Sequence, residues 1–559
     1  MRTFGAKLWP ILGLAVLGVI AFQFWPQVGS FTGSDDGRLD REQAAVQLDR
    51  FVDDIKPIDA PVGRRANVDI AAKATIEDTL PEIDQFDLVV NPAVGTDDIV
   101  AEIFVSTEKS GNGDDGWMVD LAEAFNNENI ITSGGKTAKV RIRKIPSGTG
   151  YQFIASDKYR PDAFSPSNHL WIRMAEAKGV AMMPVRDKLV DNIAGIVMKE
   201  EVAAELHKTY SDLDMTSLVD AVIQGTISMG YTDPFASSTG LNFLVTLLQI
   251  FAGGDDARLL SPEVVSAFEG FQRNVPFVAL TTLQMRDSVD QNGSLDAFVM
   301  EYQTFANDQS LQSGYEFIPF GAAHSNPLYA VGEASAEIQE VLEALAEMAE
   351  GDRFAGLAKE KGFDPPVADP SSYPLPPGRL MVQAQATWKD KKHAGQPIAA
   401  VFICDVSGSM DGARIKGVQK ALVKGADFID PKNSIGMVTF SDEVRVLLPV
   451  KTFDLNQKAS FLAAAEDLSV AGQTAMYDGI AVALDMLSEE VKKKPGTKPM
   501  LFVLTDGETN QGLRFDNFRP IVEAMGVPVY TIGYEADIDE LKRLSSLVEA
   551  ASLSADQDD

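Results

Sequence analysis

Apolar residues recur in two rhythms along this chain. Short continuous apolar runs, each closed by a polar loop, alternate with stretches whose apolar positions fall three and four residues apart. Towards the C-terminal end, the runs at 398–404, 435–440, 500–505 and 527–533 read as buried strands, and 413–428, 475–489 and 537–549 as helices. From about 97 to 364 the alternation repeats. Strands are expected at 99–105, 139–145 and 193–197, and helices at 117–125, 200–207, 241–251 and 334–349, with 162–168 opening a further helix through Ala175. Strands that alternate with helices argue for βαβ units and an α/β class.

The N-terminal part has a different pattern. Residues 8–25 are 18 residues with one polar side chain, Gln23, and no charge. As a helix they would span about 27 Å at ~1.5 Å per residue, close to the hydrocarbon thickness of a bilayer. Arg2 and Lys7 precede the run, and Asp35, Asp36 and Asp40 follow it. The positive-inside rule then leaves residues 1–7 in the cytoplasm and the bulk of the chain outside, periplasmic or extracellular. Trp9, Phe24 and Trp25 would be interfacial anchors. The competing reading is a cleaved signal peptide, for which the run is long and lacks a clear small-x-small cleavage site. Residues 26–96 read as a polar tether or stalk, with one amphipathic helix at 41–55 carrying apolar positions 44, 48, 51, 52 and 55.

Charge and composition narrow the partners. The 559 residues imply two or more domains, and the formal charge of −32 argues against nucleic acid and against an anionic membrane surface as partners. The single cysteine, Cys404, falls in an expected buried strand and reads as a small core residue. Six prolines between 364 and 378 mark a semi-stiff linker, continued by a short helix at 379–389. No Gly-x-x-x-x-Gly-Lys-Ser/Thr, His-Glu-x-x-His or nucleophile elbow is present, so no catalytic role is expected.

Candidate chemistry gathers at one strand end. The run 398–404 leads into Asp405-Val406-Ser407-Gly408-Ser409-Met410, three oxygen-bearing side chains on one rim of a sheet. Thr474 lies in the loop 471–479, and Asp506 ends the strand 500–505. Oxygen donors of this kind suit a hard cation such as Mg²⁺, and Ca²⁺ or Mn²⁺ would accept the same set. The alternative is a strand followed by a Ser/Asp-capped helix with no metal. In this region, roughly 397 to 555, the chain resembles a von Willebrand factor A domain. Asp405, Ser407, Ser409, Thr474 and Asp506 match all five positions of that family's metal-ion-dependent adhesion site. The resemblance implies a doubly wound, Rossmann-like parallel sheet. Ser407, Ser409 and Thr474 would contact Mg²⁺, Asp405 and Asp506 would hold its waters or bind directly, and an acidic residue of a protein partner would complete the coordination. Glu508 and Asp411, close by, read as solvated charges.

Residues 97–364 are similar to type II periplasmic solute-binding proteins. The matching stretches are Thr232-Asp233-Pro234 with Ser237-Ser238-Thr239-Gly240, then Asn326-Pro327-Leu328-Tyr329-Ala330, then Lys361-Gly362-Phe363-Asp364-Pro365. The resemblance implies two α/β lobes, a hinge and a ligand cleft. Ser106, Thr107, Ser165, Ser167, Ser237, Ser238 and Thr239 lie in hydroxyl-rich loops at expected helix starts, where backbone N–H groups favour a small anionic solute. Serine and threonine are also good helix caps without any ligand. No arginine or aromatic cluster in these loops identifies a substrate.

The expected layout is therefore a cytoplasmic N-terminus at 1–7, a transmembrane signal anchor at 8–25 and a tether at 26–96. A bilobed solute-binding-like domain at 97–364 follows, then a linker with a short helix at 365–396, a von Willebrand A domain at 397–555 and an acidic tail at 556–559. The expected function is membrane-anchored, metal-dependent protein recognition with ligand sensing by the bilobed domain. The alternatives are a receptor for a membrane transporter and a non-catalytic accessory subunit of a larger metal- or ATP-dependent complex.

Overall fold

The computed structural model describes residues 39–68, 80, 82–275, 277–279, 282, 285, 295–366, 373–392, 396–507, 509–533 and 552–554. The expected membrane anchor at 8–25, the helix at 537–549 and the tail at 556–559 lie outside the described residues. Among the described residues no helix is long and apolar enough to cross a membrane.

Eighteen strands are present among the described residues. In chain order they are β1 (Ile58–Asp59), β2 (Leu88–Val90), β3 (Asp98–Val105), β4 (Thr137–Lys144), β5 (Ala163–Ser165) and β6 (Met182–Arg186). Then come β7 (Asn192–Lys199), β8 (Met229–Thr232), β9 (Phe277–Ala279), β10 (Ala297–Glu301), β11 (Tyr315–His324) and β12 (Leu328–Val331). The last are β13 (Ile398–Asp405), β14 (Ser434–Phe440), β15 (Val444–Thr452), β16 (Lys498–Thr505), β17 (Val529–Gly533) and β18 (Ser552–Ser554).

The strands form three sheets, ordered β2-β4-β3-β5-β12-β6, β11-β7-β10-β8-β9 and β1-β15-β14-β13-β16-β17-β18. The first two are the two lobes of one unit. The chain leaves the first lobe after β6 and returns to it through β12, so two short crossings join the lobes. Each lobe has its own apolar core, one around Trp117, Leu121 and Phe125, the other around Tyr231, Phe243 and Phe271.

In the third sheet β13 pairs in parallel with β14 and β16, and β16 with β17. β15 departs from the expected all-parallel arrangement: it runs antiparallel to β14, because Ser441–Glu443 is too short for a crossover and can only form a hairpin. β13 is buried on both faces, as expected for a central parallel strand, and Cys404 is fully buried within it.

Two boundaries differ from the sequence reading. The helix Arg41–Ile55 forms where its periodicity predicts, capped by Asp40, and its buried Ala44 and Leu48 join the core of the third sheet with Ile480, Leu484 and Phe518. The residues after it are no free tether. β1 pairs with β15, Ala60 N–H donates to the Val446 carbonyl at 3.1 Å, and Arg64 reaches Glu466 and Asp467 at 2.8 and 2.7 Å. Residues 82–90 belong to the first lobe, where Arg143 donates to the Ile83 and Phe86 carbonyls at 3.0 and 2.7 Å.

The helix Gly378–Lys391 belongs to the two-lobed unit rather than to a linker. Met381, Ala384 and Trp388 are buried in that unit's cores. Gly378 lies so close to the helix His169–Ala177 that a Cβ would meet the Arg173 carbonyl at 2.0 Å.

Candidate functional site

Strand register, and a loop hydrogen-bonded to the strand end, bring the five predicted oxygen donors to one rim of the third sheet. β13 and β16 are parallel neighbours with Cys404 opposite Leu504, so their carboxyl ends release Asp405 and Asp506 side by side. Ligands of open α/β sheets bind beyond such strand ends. Asp405 is fully buried. One of its oxygens accepts the Ser407 N–H at 2.8 Å and the other the Thr505 hydroxyl at 2.6 Å. Burial holds the Asp405 carboxyl above the usual carboxylate range, and the neighbouring Asp506 adds to this, against the donors Ser407 and Thr505. Ser407 is buried and Ser409 exposed, with their hydroxyls 3.0 Å apart.

Thr474 arrives on a loop stitched to this rim. Gly408 N–H donates to the Gly472 carbonyl at 3.0 Å, and Ala471 N–H to the Val406 carbonyl at 2.8 Å. Gly472 has φ +85°, and a Cβ there would meet the Asp442 carboxylate at 2.4 Å, so glycine is required at this turn. On its other side Thr474 takes hydrogen bonds from Asn510 N–H at 3.1 Å and Thr509 Oγ1 at 3.0 Å.

Asp506 is buried, and its two oxygens differ. Oδ2 pairs with Arg414 Nη1 at 3.2 Å, whereas Oδ1 is buried with no hydrogen-bond partner among the described residues. A partnerless buried carboxylate oxygen beside two serine hydroxyls, a threonine and a second carboxylate is a donor set that fits a hard divalent cation. Asp411 is exposed, and Glu508 lies outside the described residues. Arg414, Thr505 and Asn510 were not singled out in the sequence. Arg414 sits five residues beyond Ser409 and carries no motif signal.

The seven hydroxyl candidates of the two-lobed unit converge on the lobe interface, and the structure supplies internal partners for most of them. Lys109 is fully buried. Its Nζ donates to Ser106 Oγ at 2.6 Å, the Ser165 carbonyl at 2.9 Å and Asn326 Oδ1 at 3.0 Å. The Glu108 carboxyl group accepts from Thr107 Oγ1 at 3.3 Å and from the Ser167 hydroxyl. Thr239 donates to Glu301 Oε1 at 3.0 Å, and His324 Nδ1 lies 3.1 Å from the same oxygen. Ser237 caps the helix Ser238–Ala252, and Ser238 Oγ accepts the Trp171 indole N–H at 2.8 Å. The Ser165 hydroxyl is buried without a partner among the described residues. Burial pushes the Glu108 carboxyl up to about 7, with Glu301 adding to it, and pulls the Lys109 ammonium down to about 8. Glu108 and Lys109 in a loop, and Glu301 and His324 at the ends of β10 and β11, escaped sequence reasoning because charged and titratable residues at such places ordinarily face solvent.

The comparisons with known proteins agree with this architecture. Residues 400–556 match the family described as von Willebrand factor type A domain, and residues 111–364 the family described as bacterial extracellular solute-binding protein. Human inter-alpha-trypsin inhibitor heavy chain H4 is 29% identical over 154 residues, 25% of this chain and 16% of that protein. The heavy chain H1 of Mesocricetus auratus is 28% identical over 151 residues, with the same 25% and 16% coverage. The chain thus spans about a sixth of the length of these relatives. Among solved structures, a periplasmic thiamin binding protein covers 55% of this chain and 99% of its own, at 11% identity and a TM-score of 0.39. A von Willebrand factor type A protein from Catenulispora acidiphila covers 29% of this chain and 39% of its own, at 19% identity and a TM-score of 0.27. Two families thus meet in one polypeptide, which joins a bacterial solute-binding-protein-like domain to a von Willebrand factor type A domain.

Proposed function

We propose that this protein is an extracytoplasmic recognition protein whose von Willebrand A domain docks an acidic residue of a protein partner through a divalent cation, Mg²⁺ foremost. The observation that carries the reading is the buried Oδ1 of Asp506, which has no partner among the described residues, on the rim where β13 and β16 end and where the loop bearing Thr474 is stitched to Val406 and Gly408. A cation bound there would offer a coordination position to a partner's carboxylate. Ser407, Ser409 and Thr474 would hold it directly, with Asp405 and Asp506 supplying charge. Among the described residues this rim carries no nucleophile with an adjacent general base, and recognition is the chemistry proposed. The match to an extracellular solute-binding family supports a location outside the cytoplasm, and the uncharged run 8–25 supports an anchor in the membrane.

The test is calorimetric Mg²⁺ titration of the full chain beside Asp405→Ala. Saturable binding lost in the variant supports the reading, and no heat in either sinks it. The rival reading, a receptor that hands a solute to a membrane transporter, draws on the family match of residues 111–364. It calls for a saturable small-molecule affinity in that unit. The charged groups that already fill the lobe interface weigh against it.

A further inference from the structure

We propose that Thr509 and Asn510 are positioning residues of the metal site, which hold Thr474 at the rim before any cation arrives and so favour Mg²⁺ over the larger Ca²⁺. The inference rests on the metal reading proposed above. Asp405, Ser407 and Ser409 follow the central strand β13 directly, and Asp506 follows β16. Thr474 has no such support. It lies between the helices Leu455–Glu466 and Met476–Lys493, so its place depends on what its loop is fastened to. One segment takes both of its backbone polar groups. Thr474 N–H donates to Asn510 Oδ1 at 3.1 Å. The Thr474 carbonyl accepts from the Asn510 and Gln511 N–H groups at 3.1 and 3.2 Å and from Thr509 Oγ1 at 3.0 Å. The Thr509 hydroxyl also accepts the Met476 N–H at 3.2 Å, so it joins Thr474 to the first residue of the following helix. The Thr474 hydroxyl itself makes no hydrogen bond among the described residues.

The same stretch of chain carries Asp506. It starts at Thr505, whose hydroxyl donates to Asp405 Oδ2 at 2.6 Å and accepts the Gly507 N–H at 3.1 Å. Residues 505–511 therefore touch Asp405 at one end and Thr474 at the other, with Asp506 between. The remaining fastenings of the Thr474 loop are of another kind. Ala471 and Gly472 are held backbone to backbone, which does not depend on side-chain identity, and Asp442 accepts the N–H of Gln473, the residue before Thr474, at 3.0 Å. Thr509 and Asn510 act on Thr474 itself, through uncharged side chains. Their effect on a cation must then come through the placement of Thr474 and not through charge. Mg²⁺ demands near-ideal octahedral geometry at short distances, whereas Ca²⁺ accepts more oxygens at longer and more variable ones. A donor fixed in advance spares the ordering cost of binding. A donor free to withdraw harms the ion with the stricter geometry most.

The experiment is titration calorimetry of the full chain with Mg²⁺ and, separately, with Ca²⁺, in wild type, Thr509→Val, Thr509→Ser and Asn510→Ala. Thr509→Val keeps the shape and removes the hydroxyl, while Thr509→Ser keeps the hydroxyl. Thr509→Val and Asn510→Ala should each weaken Mg²⁺ binding by about tenfold, the lower end of the cost of removing a group that orients a metal ligand. Ca²⁺ binding should weaken less, so the preference for Mg²⁺ should fall by about threefold or more. Thr509→Ser should behave as wild type. Thermal unfolding in EDTA reports which variants are folded, and Asn510→Ala decides the matter if Thr509→Val does not fold. Equal losses for the two ions, or an unchanged affinity in the folded variants, overturn the proposal and leave the metal site standing. So does Thr509→Ser with the same loss as Thr509→Val. Absence of Mg²⁺ binding in wild type sinks the metal reading itself, and this inference with it.

Discussion

The guanidinium of Arg414 lies 3.2 Å from Asp506 Oδ2 and 2.8 Å from the Ser409 carbonyl, so one side chain pairs with a candidate metal ligand and with the backbone of another. It neutralises a carboxylate that is otherwise buried. A cation entering the site must share Asp506 with it and bear its repulsion. Arg414→Ala should therefore raise Mg²⁺ affinity by about tenfold, the factor given by about 1.4 kcal/mol of relieved repulsion. In EDTA the same variant should be less stable than wild type by about 1–2 kcal/mol, since the Asp506 carboxylate loses its partner. Titration calorimetry and denaturant unfolding in EDTA read the two effects separately. Weaker Mg²⁺ binding in the variant would instead make Arg414 a residue that orients Asp506.

The helix Arg41–Ile55 is part of the von Willebrand A fold, with Leu48 buried against the helices Met476–Lys493 and Phe515–Met525. Leu48→Ala should cost that domain about 2–4 kcal/mol, the usual range for emptying a buried leucine site. A tether would tolerate the change without effect on unfolding.

Trp388 ties the helix Gly378–Lys391 to Tyr231 and is almost fully buried. Trp388→Ala should lower the stability of the two-lobed unit by about 3–5 kcal/mol. By the same reasoning a fragment spanning 82–392 should unfold cooperatively. One spanning 97–364 should not, because it lacks β2 and this helix. Urea unfolding followed by circular dichroism distinguishes them.

Glu108 carries a pH signature with a definite sign. Its carboxyl is raised to about 7 from an ordinary 4.5, so the folded state holds a proton that the unfolded state has lost between those values. Its contribution is full below about 4.5 and fades as pH rises through about 7. Lys109 and Glu301 act on it electrostatically, so the comparison is with Glu108→Gln, which leaves both neighbours in place. The stability difference between wild type and variant should fall steadily from pH 5 to pH 7.5. A flat difference would mean an ordinary carboxylate.

Much of the metal-site candidate was legible in the sequence because four of its five candidate donors follow strand ends and the fifth, Thr474, falls in a loop, in a fixed order. An apolar run that stops at Asp405 places that residue on the sheet rim whatever the rest of the chain does. The helix at 41–55 was equally legible from its 3.6-residue rhythm, but where it packs was not. Its apolar face is complementary to any groove, and only the edge left by β15 and the groove between two distant helices selected one. Proline content misled at 364–378: prolines stiffen a segment but do not reveal that the carbonyls of Pro374 and Leu375 accept from Gln249 and Arg173 just before a helix that packs on both lobes.

The sequence by itself determined the two α/β units, their order, and the five residues proposed as oxygen donors, because periodicity and motif spacing are local properties. Tertiary structure alone decided that the residues before the two-lobed unit complete the von Willebrand A sheet, that Arg414 pairs with Asp506, and that Glu108 and Lys109 are buried beyond the end of β3, with Lys109 on Asn326. These depend on which residues far apart in the chain are buried together. A buried charge is stable only where partners from several elements converge, and no single stretch of sequence records that convergence.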